Sequence, residues 1–213
     1  MPEVLWRALE YLKQGGWIMM PLLGFSVLMW MFILERWKVY RLLGRDDIKI
    51  TGAVKAVEEG SFAGVGEGLR ARLVRDYLSL RSGDPMVDSR ILGQCVMGLR
   101  NSLRNRLAAI AVLASIAPLL GLLGTVLGMI ETFDVISIFG TGNARAMAGG
   151  ISVALVTTQS GLIIAIPGLF ISGALSRRAR YLENRLDEVA VILDRHIKMG
   201  GQLSPSSPEA ESP

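Results

Sequence analysis

The residues that could do chemistry in the two longest apolar stretches of this chain are hydroxyls. Residues 115–133 contain Thr125, and residues 149–172 contain the neighbours Thr157 and Thr158. A hydroxyl both donates and accepts, so it can hold a water molecule or pass a hydrogen bond to a titrating carboxyl group supplied by another protein. It can also bond back to the carbonyl one turn earlier and pack as a small residue. The spacing alone favours that packing role.

Carboxylates occur only at one end of these stretches. The first stretch has no ionisable residue before Glu131, which is followed by Asp134, and the second stretch has none. An ionisable group inside a membrane span indicates a functional site by default. At the end of a span two interpretations stay open. The carboxylates are solvated interfacial groups, which the sequence alone favours, or they form an outer mouth that concentrates cations at a pore.

Small residues line one face of each stretch at the helical period of about 100° per residue. In hydrocarbon the hydrophobic effect gives helices little reason to associate, so close backbone packing and inter-helix hydrogen bonds must hold them together. We expect the two prolines in the set to kink their helices and free a carbonyl. The predicted packing residues are Pro118, Gly121, Gly124, Gly128, Gly150, Ala154, Gly161, Ala165 and Pro167. The same stripes include Thr125, Thr132, Thr157, Gly168 and Ser172, with Thr158 at the edge.

The composition is typical of a membrane protein with an additional polar part. The residues are 51% hydrophobic and the mean hydropathy is +0.41, which is too apolar for an ordinary soluble domain, whereas 20% charged residues are too many for a bare membrane bundle. A pI near 9.5 could indicate a protein that binds nucleic acid. The basic residues flank apolar spans, however, so membrane topology explains them and no nucleic-acid partner is predicted.

The sequence offers no pattern for enzymatic or metal chemistry. The single Cys95 excludes an internal disulfide, and the single His196 lies among charges on a predicted helix, where we expect it to be solvated. There is no Cys/His spacing for a metal, no glycine-rich phosphate loop after a strand, and no nucleophile–base pair in the apolar stretches. We therefore predict no catalytic residue, no metal, no cofactor and no enzymatic activity.

Three segments are long and apolar enough to cross a lipid bilayer, which takes about 20 residues. The segment after the first span holds 13 of the 23 Lys and Arg residues, and the tail after the third holds six more. Because cytoplasmic segments carry the excess of basic residues, we expect both in the cytoplasm and the N-terminus in the periplasm. The predicted order is a periplasmic arm (1–16), transmembrane helix 1 (17–37), a cytoplasmic helical segment (38–106), transmembrane helix 2 (107–133), a short periplasmic turn (134–145), transmembrane helix 3 (146–175), a cytoplasmic helix (176–199) and a disordered tail (200–213).

The two longer spans are expected to continue as helices in the cytoplasm. An apolar period runs from Leu92 to Ile110 with no glycine or proline where it enters the second span, which predicts one unbroken helix. Asp84 followed by Pro85 suits the start of that helix. The third span keeps its period until Gly200–Gly201, where we expect it to end. The predicted fold class is an all-α membrane protein with three transmembrane helices, the second and third extended into a cytoplasmic helical bundle.

Two sequence runs and the layout of the spans resemble a known family. The run IAPLLGLLGTVLGMIETF from residue 116, the run GGISVALVTTQSGLIIAIP from residue 149 and the first-span ending FILERW are similar to the MotA/TolQ/ExbB proton-channel superfamily. The similarity is closest to its ExbB members, the biopolymer transport proteins of the TonB system. It covers both long spans closely and the rest of the chain in layout. MotA-like flagellar stators are less similar, because they have four spans.

The resemblance implies a multi-pass channel subunit of the bacterial inner membrane. ExbB-like proteins form homopentamers whose second and third spans line a pore around two copies of an ExbD/TolR-like single-span partner, which carries a proton-accepting aspartate. Motion driven by the proton-motive force then passes to a TonB-like protein that opens outer-membrane transporters. By motif position, Thr125 and Thr158 correspond to pore-lining threonines, and Thr157 is assigned to the same wall.

One position departs from the family pattern. Val153 stands where many ExbB and TolQ sequences have glutamate, so a proton-relay role at that position and the choice between proton and sodium stay open. Two other functions also stay open: a TolQ-like subunit of the Tol-Pal envelope system, and a non-conducting membrane scaffold. An intramembrane enzyme is disfavoured because the catalytic groups are missing.

Overall fold

The computed structural model describes residues 14–45, 47–61 and 66–202. Within these residues the regular structure is helical and no strand forms, which confirms the predicted all-α fold class. Residues 1–13 of the predicted arm and 203–213 of the predicted tail lie outside the described residues. The helices are α1 (Met19–Arg45), α2 (Ile50–Glu59), α3 (Leu69–Leu80), α4 (Pro85–Arg104), α5 (Leu107–Phe139), a 3₁₀ turn (Gly140–Gly142) and α6 (Ala144–Gln202).

Three of these helices, α1, α5 and α6, contain the stretches that are long and apolar enough to cross a membrane among the described residues. Their outward faces keep large apolar side chains accessible, such as Leu119, Leu155 and Phe170. A soluble protein rarely leaves so much contiguous apolar surface uncovered, whereas lipid tails solvate it without penalty. The three predicted membrane helices are confirmed on this basis.

The reversal between α5 and α6 is shorter than the predicted turn. The helix continues past Asp134 because apolar residues persist and no breaker occurs before Gly140. Gly140 adopts a φ of 67°, which glycine reaches without steric cost. The side-chain oxygen of Asn143 then accepts a hydrogen bond from Ala146 N at 3.1 Å and caps the start of α6. The prediction that a turn begins at residue 134 is therefore wrong.

The prediction of one unbroken helix entering the second span is also wrong, because the chain breaks between α4 and α5. Asn105 has φ −53° and ψ 137°, and Arg106 lies in the left-handed region at φ 64°. That region is uncommon for a residue with a Cβ. The Arg106 guanidinium pairs with the Glu35 carboxylate and lies 5.4 Å from the centre of the Phe32 ring, and these contacts hold it in place.

The last helix is longer than predicted. It was expected to end at Gly200–Gly201, but α6 includes both glycines and continues to Gln202. Glycine lowers helix stability without forbidding the helical conformation, so a glycine pair permits an end but does not impose one. Pro118 and Pro167 likewise lie inside α5 and α6, which continue beyond them.

The chain divides by its internal contacts into two units. Unit one comprises Met1–Arg36 and Arg106–Leu175, and unit two comprises Trp37–Asn105 and Ser176–Pro213. Helices α1 and α6 contribute residues to both units, because neither is interrupted where the units divide. The neutral apolar stretches belong to unit one, whereas most of the charged residues belong to unit two.

Unit two is built on an apolar stripe shared by α4 and the second half of α6. The phenol ring of Tyr40, from the end of α1, is buried beside it, and its hydroxyl donates to Leu103 O at 2.6 Å. Burial of these large side chains supplies the main stabilisation, at about 25 cal/mol per Å² of apolar surface. The stripe consists of Leu92, Leu103, Leu182, Leu186, Val189 and Leu193.

A ladder of polar contacts between α4 and α6 runs beside this stripe. Arg104 donates two hydrogen bonds to the Glu183 carboxylate, at 2.7 and 2.8 Å. The other contacts are from Arg100 to Asp187 at 2.5 Å and from Ser89 to Asp194 at 2.5 Å. Because each contact joins a fixed pair of positions, the ladder sets the register in which the two antiparallel helices pack.

The turn before α4 explains why that helix begins where the sequence predicts. Asp84 accepts a hydrogen bond from Met86 N at 2.8 Å, and proline occupies the first helical position. The buried Asp88 carboxylate accepts from Ser82 N at 2.7 Å and from Gly83 N at 3.3 Å. Together they satisfy backbone donors that the turn would otherwise leave unpaired.

Arg104→Gln should lower the melting temperature by a few degrees at neutral pH and by much less in acid. The hydrogen bonds from Arg104 lower the pKa of Glu183 from 4.5, although burial acts in the opposite direction. A depressed folded-state pKa gives stability that is present above about pH 4.5 and is lost as the pH falls through the folded pKa. Thermal unfolding in one detergent from about pH 3 to 8 measures this difference.

Arg90→Gln is the matched control, because Arg90 is an exposed residue on the same helix. It should change the melting temperature little at any pH. A pH-independent loss in Arg104→Gln, or an equal loss in Arg90→Gln, would contradict the role given to the Glu183 pair.

Candidate functional site

The candidate site lies in unit one, where α5 packs against the first half of α6. A Cβ on Gly128 would lie 2.6 Å from Gly150 O and 2.8 Å from Ala154 N. A Cβ on Gly161 would lie 2.7 Å from Ala117 O. Side-chain carbons do not approach rigid backbone atoms this closely, so the contact requires glycine. We call this contact the seam; its buried residues are Ala117, Gly121, Gly124, Gly128 and Thr132 of α5, and Gly150, Ala154, Thr157, Gly161 and Ala165 of α6.

The other predicted packing residues lie in the seam or next to it. A Cβ on Gly121 would lie 3.0 Å from Thr157 O, and a Cβ on Gly124 would overlap the Thr157 side chain. Pro118 and Pro167 are half-buried. The stripes were predicted to include Thr125 on α5, but Gly124 takes the buried position and Thr125 lies at the edge.

Helix α1 packs against one end of the seam. Leu22 is fully buried and clusters with Ala117 and Ala165. A Cβ on Gly168 would lie 2.5 Å from the sulfur of Met29. Small residues on α6 therefore admit α1 on this side as well, by the same close approach that joins α5 and α6.

Thr157 is fully buried in the seam, with no exposed surface. Its hydroxyl lies 2.9 Å from Val153 O and 3.0 Å from Ala154 O, to which it donates within its own helix. Thr132 of α5 is also buried and donates to Gly128 O at 2.9 Å. Such back-bonding satisfies the hydroxyl and leaves it to pack as a small residue. Within this chain, neither side chain reaches a surface that a pore could use.

Thr158 and Thr125 lie at the edges of the seam and are half-buried. The Thr158 hydroxyl is 3.1 Å from Ala154 O on its own helix and 3.3 Å from Gly121 O on α5. The Thr125 hydroxyl donates to Leu122 O at 2.7 Å. Each oxygen still has lone pairs that can accept from water or from another protein's group. Of the three threonines predicted to line a pore, these two are accessible.

The two carboxylates of α5 lie beside a cavity at one end of unit one. Glu131 and Asp134 are exposed, and both contribute to a cavity of about 310 Å³. Its wall also includes the backbone at Gly16 and the half-buried side chain of Val153. The two carboxylates are three residues apart and therefore lie on one face of α5. This arrangement offers negative charge at the cavity, while Val153 adds none.

The seam itself is electrically neutral. Residues 107–130 and 146–175 contain no ionisable side chain. A charge placed between such helices would be costly unless it were paired or hydrogen-bonded. These two helix segments therefore supply no titrating group of their own to the seam.

Fold and site together define an all-α membrane protein whose two longest spans pack through a neutral seam of small residues. Residues 65–188, more than half of the chain, match the MotA/TolQ/ExbB proton channel family. The chain belongs to this family, which is of the transport or channel type, and it is a multi-pass protein of the inner membrane.

Three relatives show how far the similarity extends. The putative biopolymer transport protein ExbB-like 3 of Synechocystis sp. is 31% identical over 182 residues, which cover 79% of this chain and 83% of the relative. The biopolymer transport protein ExbB of Aquifex aeolicus is 43% identical over 93 residues, covering 44% of this chain and 62% of the relative. The Tol-Pal system protein TolQ of Haemophilus influenzae is 38% identical over 98 residues, covering 44% and 43%.

Gly128→Ala should destabilise unit one by about 1–3 kcal/mol, the usual cost of overpacking a closely packed site. The added methyl would meet Gly150 O and Ala154 N, which are backbone atoms that cannot rotate away. Gly98→Ala is the matched control, because a Cβ at this position of α4 meets nothing within 4 Å. It should be neutral or stabilise by up to about 1 kcal/mol. Equilibrium unfolding in mixed micelles compares the two, and equal effects would contradict the seam.

Proposed function

We propose that this chain is the ring-forming channel subunit of an inner-membrane motor that the proton-motive force drives to energise TonB-dependent outer-membrane transport. Five copies surround two copies of an ExbD/TolR-like single-span protein, and a TonB-like protein receives the motion. The N-terminus is periplasmic and the C-terminus cytoplasmic, following the distribution of basic residues. Membership of the family and similarity to ExbB proteins support this proposal.

The observation that carries the proposal is the placement of Thr158 and Thr125 at the edges of a seam without ionisable residues. Thr158 reaches carbonyls on both helices, so its hydroxyl is held in position while a lone pair stays free to accept. A carboxyl group on the partner's span can donate to it when protonated. Thr157 belongs to the packing between α5 and α6 in this proposal, because its side chain is buried.

The partner supplies the charge that the seam lacks. One elementary charge that crosses a potential of 100 mV releases about 2.3 kcal/mol, so a few ions per step provide enough free energy to move a packed helix. A neutral wall of small residues suits this motion, because it offers the moving carboxyl group no fixed cation to bind. Glu131 and Asp134, beside the outer cavity, serve as a cation-attracting entrance.

Two other functions explain less of the site. A TolQ-like role in the Tol-Pal system rests on the relative from Haemophilus influenzae, which matches 44% of this chain, whereas an ExbB-like relative matches 79%. A non-conducting scaffold accounts for the seam glycines, but it gives the accessible hydroxyls of Thr125 and Thr158 no role. The ExbB-like role explains both the seam glycines and the accessible hydroxyls.

Thr158→Val and Thr125→Val should each abolish energised uptake of a TonB-dependent cargo in cells without reducing assembly. Valine has nearly the same shape as threonine and replaces only the hydroxyl with a methyl group, so the helices still pack. The uptake rate and the amount of assembled complex are measured together. Full uptake in both variants would exclude the proposed channel role.

Thr132→Val is the matched control. It removes a buried hydroxyl that bonds only its own helix among the described residues, so assembly and uptake should persist. If Thr132→Val abolishes uptake as Thr158→Val does, the loss reflects packing. The scaffold function would then be preferred.

The complex purified from the membrane should contain five copies of this chain and two copies of a single-span protein with an aspartate in its span. Native mass spectrometry gives this stoichiometry directly. Purification as a stable dimer with no such companion would contradict the motor.

A further inference from the structure

We propose that unit two binds the phosphate headgroup of an anionic phospholipid. The binding face is formed by the end of α1 and by the first residues of α6 that belong to unit two. We call this face the basic–aromatic patch; its residues are Trp37, Arg41, Gly44, Arg178, Tyr181 and Arg185. All six are described residues of unit two. The proposal does not depend on the motor function.

The side chain of Arg178 is positioned by contacts on two sides. Its guanidinium lies 5.3 Å from the centre of the Tyr181 ring, and a Cβ on Gly44 would lie 2.9 Å from its Nη2. The glycine therefore lets Arg178 approach the backbone of α1. Arg185 stacks on the same ring at 5.8 Å and is anchored by Asp47 at 3.5 Å. A positioned guanidinium loses less conformational entropy when it binds a phosphate.

Helix α1 contributes a second guanidinium to the same face. Trp37, Arg41 and Gly44 are separated by four and three residues, so they lie on one side of α1. Because Gly44 contacts Arg178, this side of α1 adjoins α6. Trp37 is 58% exposed, Tyr181 is 51% exposed, and Arg41 and Arg178 are exposed as well. The patch therefore presents two accessible guanidiniums and two accessible aromatic rings.

The charge of the patch is not neutralised from within. Among the ion pairs of the residues that the structure describes, none joins Arg41 or Arg178 to a carboxylate. Asp47, the acidic partner of Arg185, also pairs with Arg70. A phosphate suits these two guanidinium groups, since such groups bind its oxygens in a bidentate manner.

The sequence position of the patch favours a lipid phosphate over a free one. Trp37 follows the last apolar residue of the first span by three positions, and Arg178 follows Leu175, the last apolar residue of the third, by three. Exposed aromatic rings at the ends of spans mark the headgroup level of a bilayer. Basic residues at that level attract anionic lipid electrostatically.

The test uses the full-length protein in phosphatidylcholine vesicles with increasing brominated phosphatidylglycerol, which quenches nearby tryptophan. Trp6, Trp17 and Trp30 are replaced by phenylalanine, so that Trp37 alone reports. Brominated phosphatidylglycerol should quench Trp37 at mole fractions about tenfold lower than brominated phosphatidylcholine requires. Arg41→Gln with Arg178→Gln should abolish this preference.

Arg177→Gln with Arg180→Gln is the matched control, because these exposed arginines lie on another face of the same helix. It removes two charges and should keep most of the preference. Equal loss in both double variants would overturn the proposal in favour of general surface charge. Three other results would also overturn the proposal. They are equal quenching by the two brominated lipids, reversal of the quenching by millimolar inorganic phosphate, and no quenching because a protein covers Trp37.

Discussion

The approach of α5 to α6 at backbone distance is the constraint on which the rest of unit one depends. Where a Cβ on Gly128 would meet Gly150 O, no larger side chain fits, and no ionisable group has room. Hydroxyls inside the contact bond back to their own helix, as Thr157 and Thr132 do. Only hydroxyls at the edge stay available, so close packing decides which threonines can serve a channel.

The continuous helix α6 packs through two different kinds of contact, one in each unit. In unit one, lipid gives no hydrophobic driving force, so glycine and alanine bring backbones together. In unit two, water supplies that force, and leucines at the same helical spacing form the buried stripe. Apolar burial is not directional, and the ladder from Arg104–Glu183 to Ser89–Asp194 supplies the register that burial alone leaves undefined.

Helical periodicity predicted the fold class and the buried faces, because both follow from the geometry of a single helix. It could not reveal the break at Asn105–Arg106, since distant contacts with Glu35 and Phe32 hold that arginine in place. It placed Thr157 in the small-residue stripe and Thr158 at its edge, and the structure buries Thr157 and leaves Thr158 half-buried. On α5 it placed Thr125 in the stripe, whereas Gly124 is buried there and Thr125 lies at the edge. Gly124 and Thr125 differ by about 100° around the helix axis. Which of them is buried depends on where α6 packs, and a single sequence does not contain that angle explicitly.

Because the seam contains no carboxylate, proton affinity in the proposed motor is determined at another group. A carboxyl group on the partner binds or releases its proton according to its own desolvation and to the hydrogen bonds it finds. Thr158 can accept from the protonated form and donate to the ionised form, so it permits both states. A glutamate in place of Val153 would add a second titrating group near the cavity of Glu131 and Asp134. In the proposed motor, valine therefore leaves the partner's carboxyl group as the one that titrates between the spans.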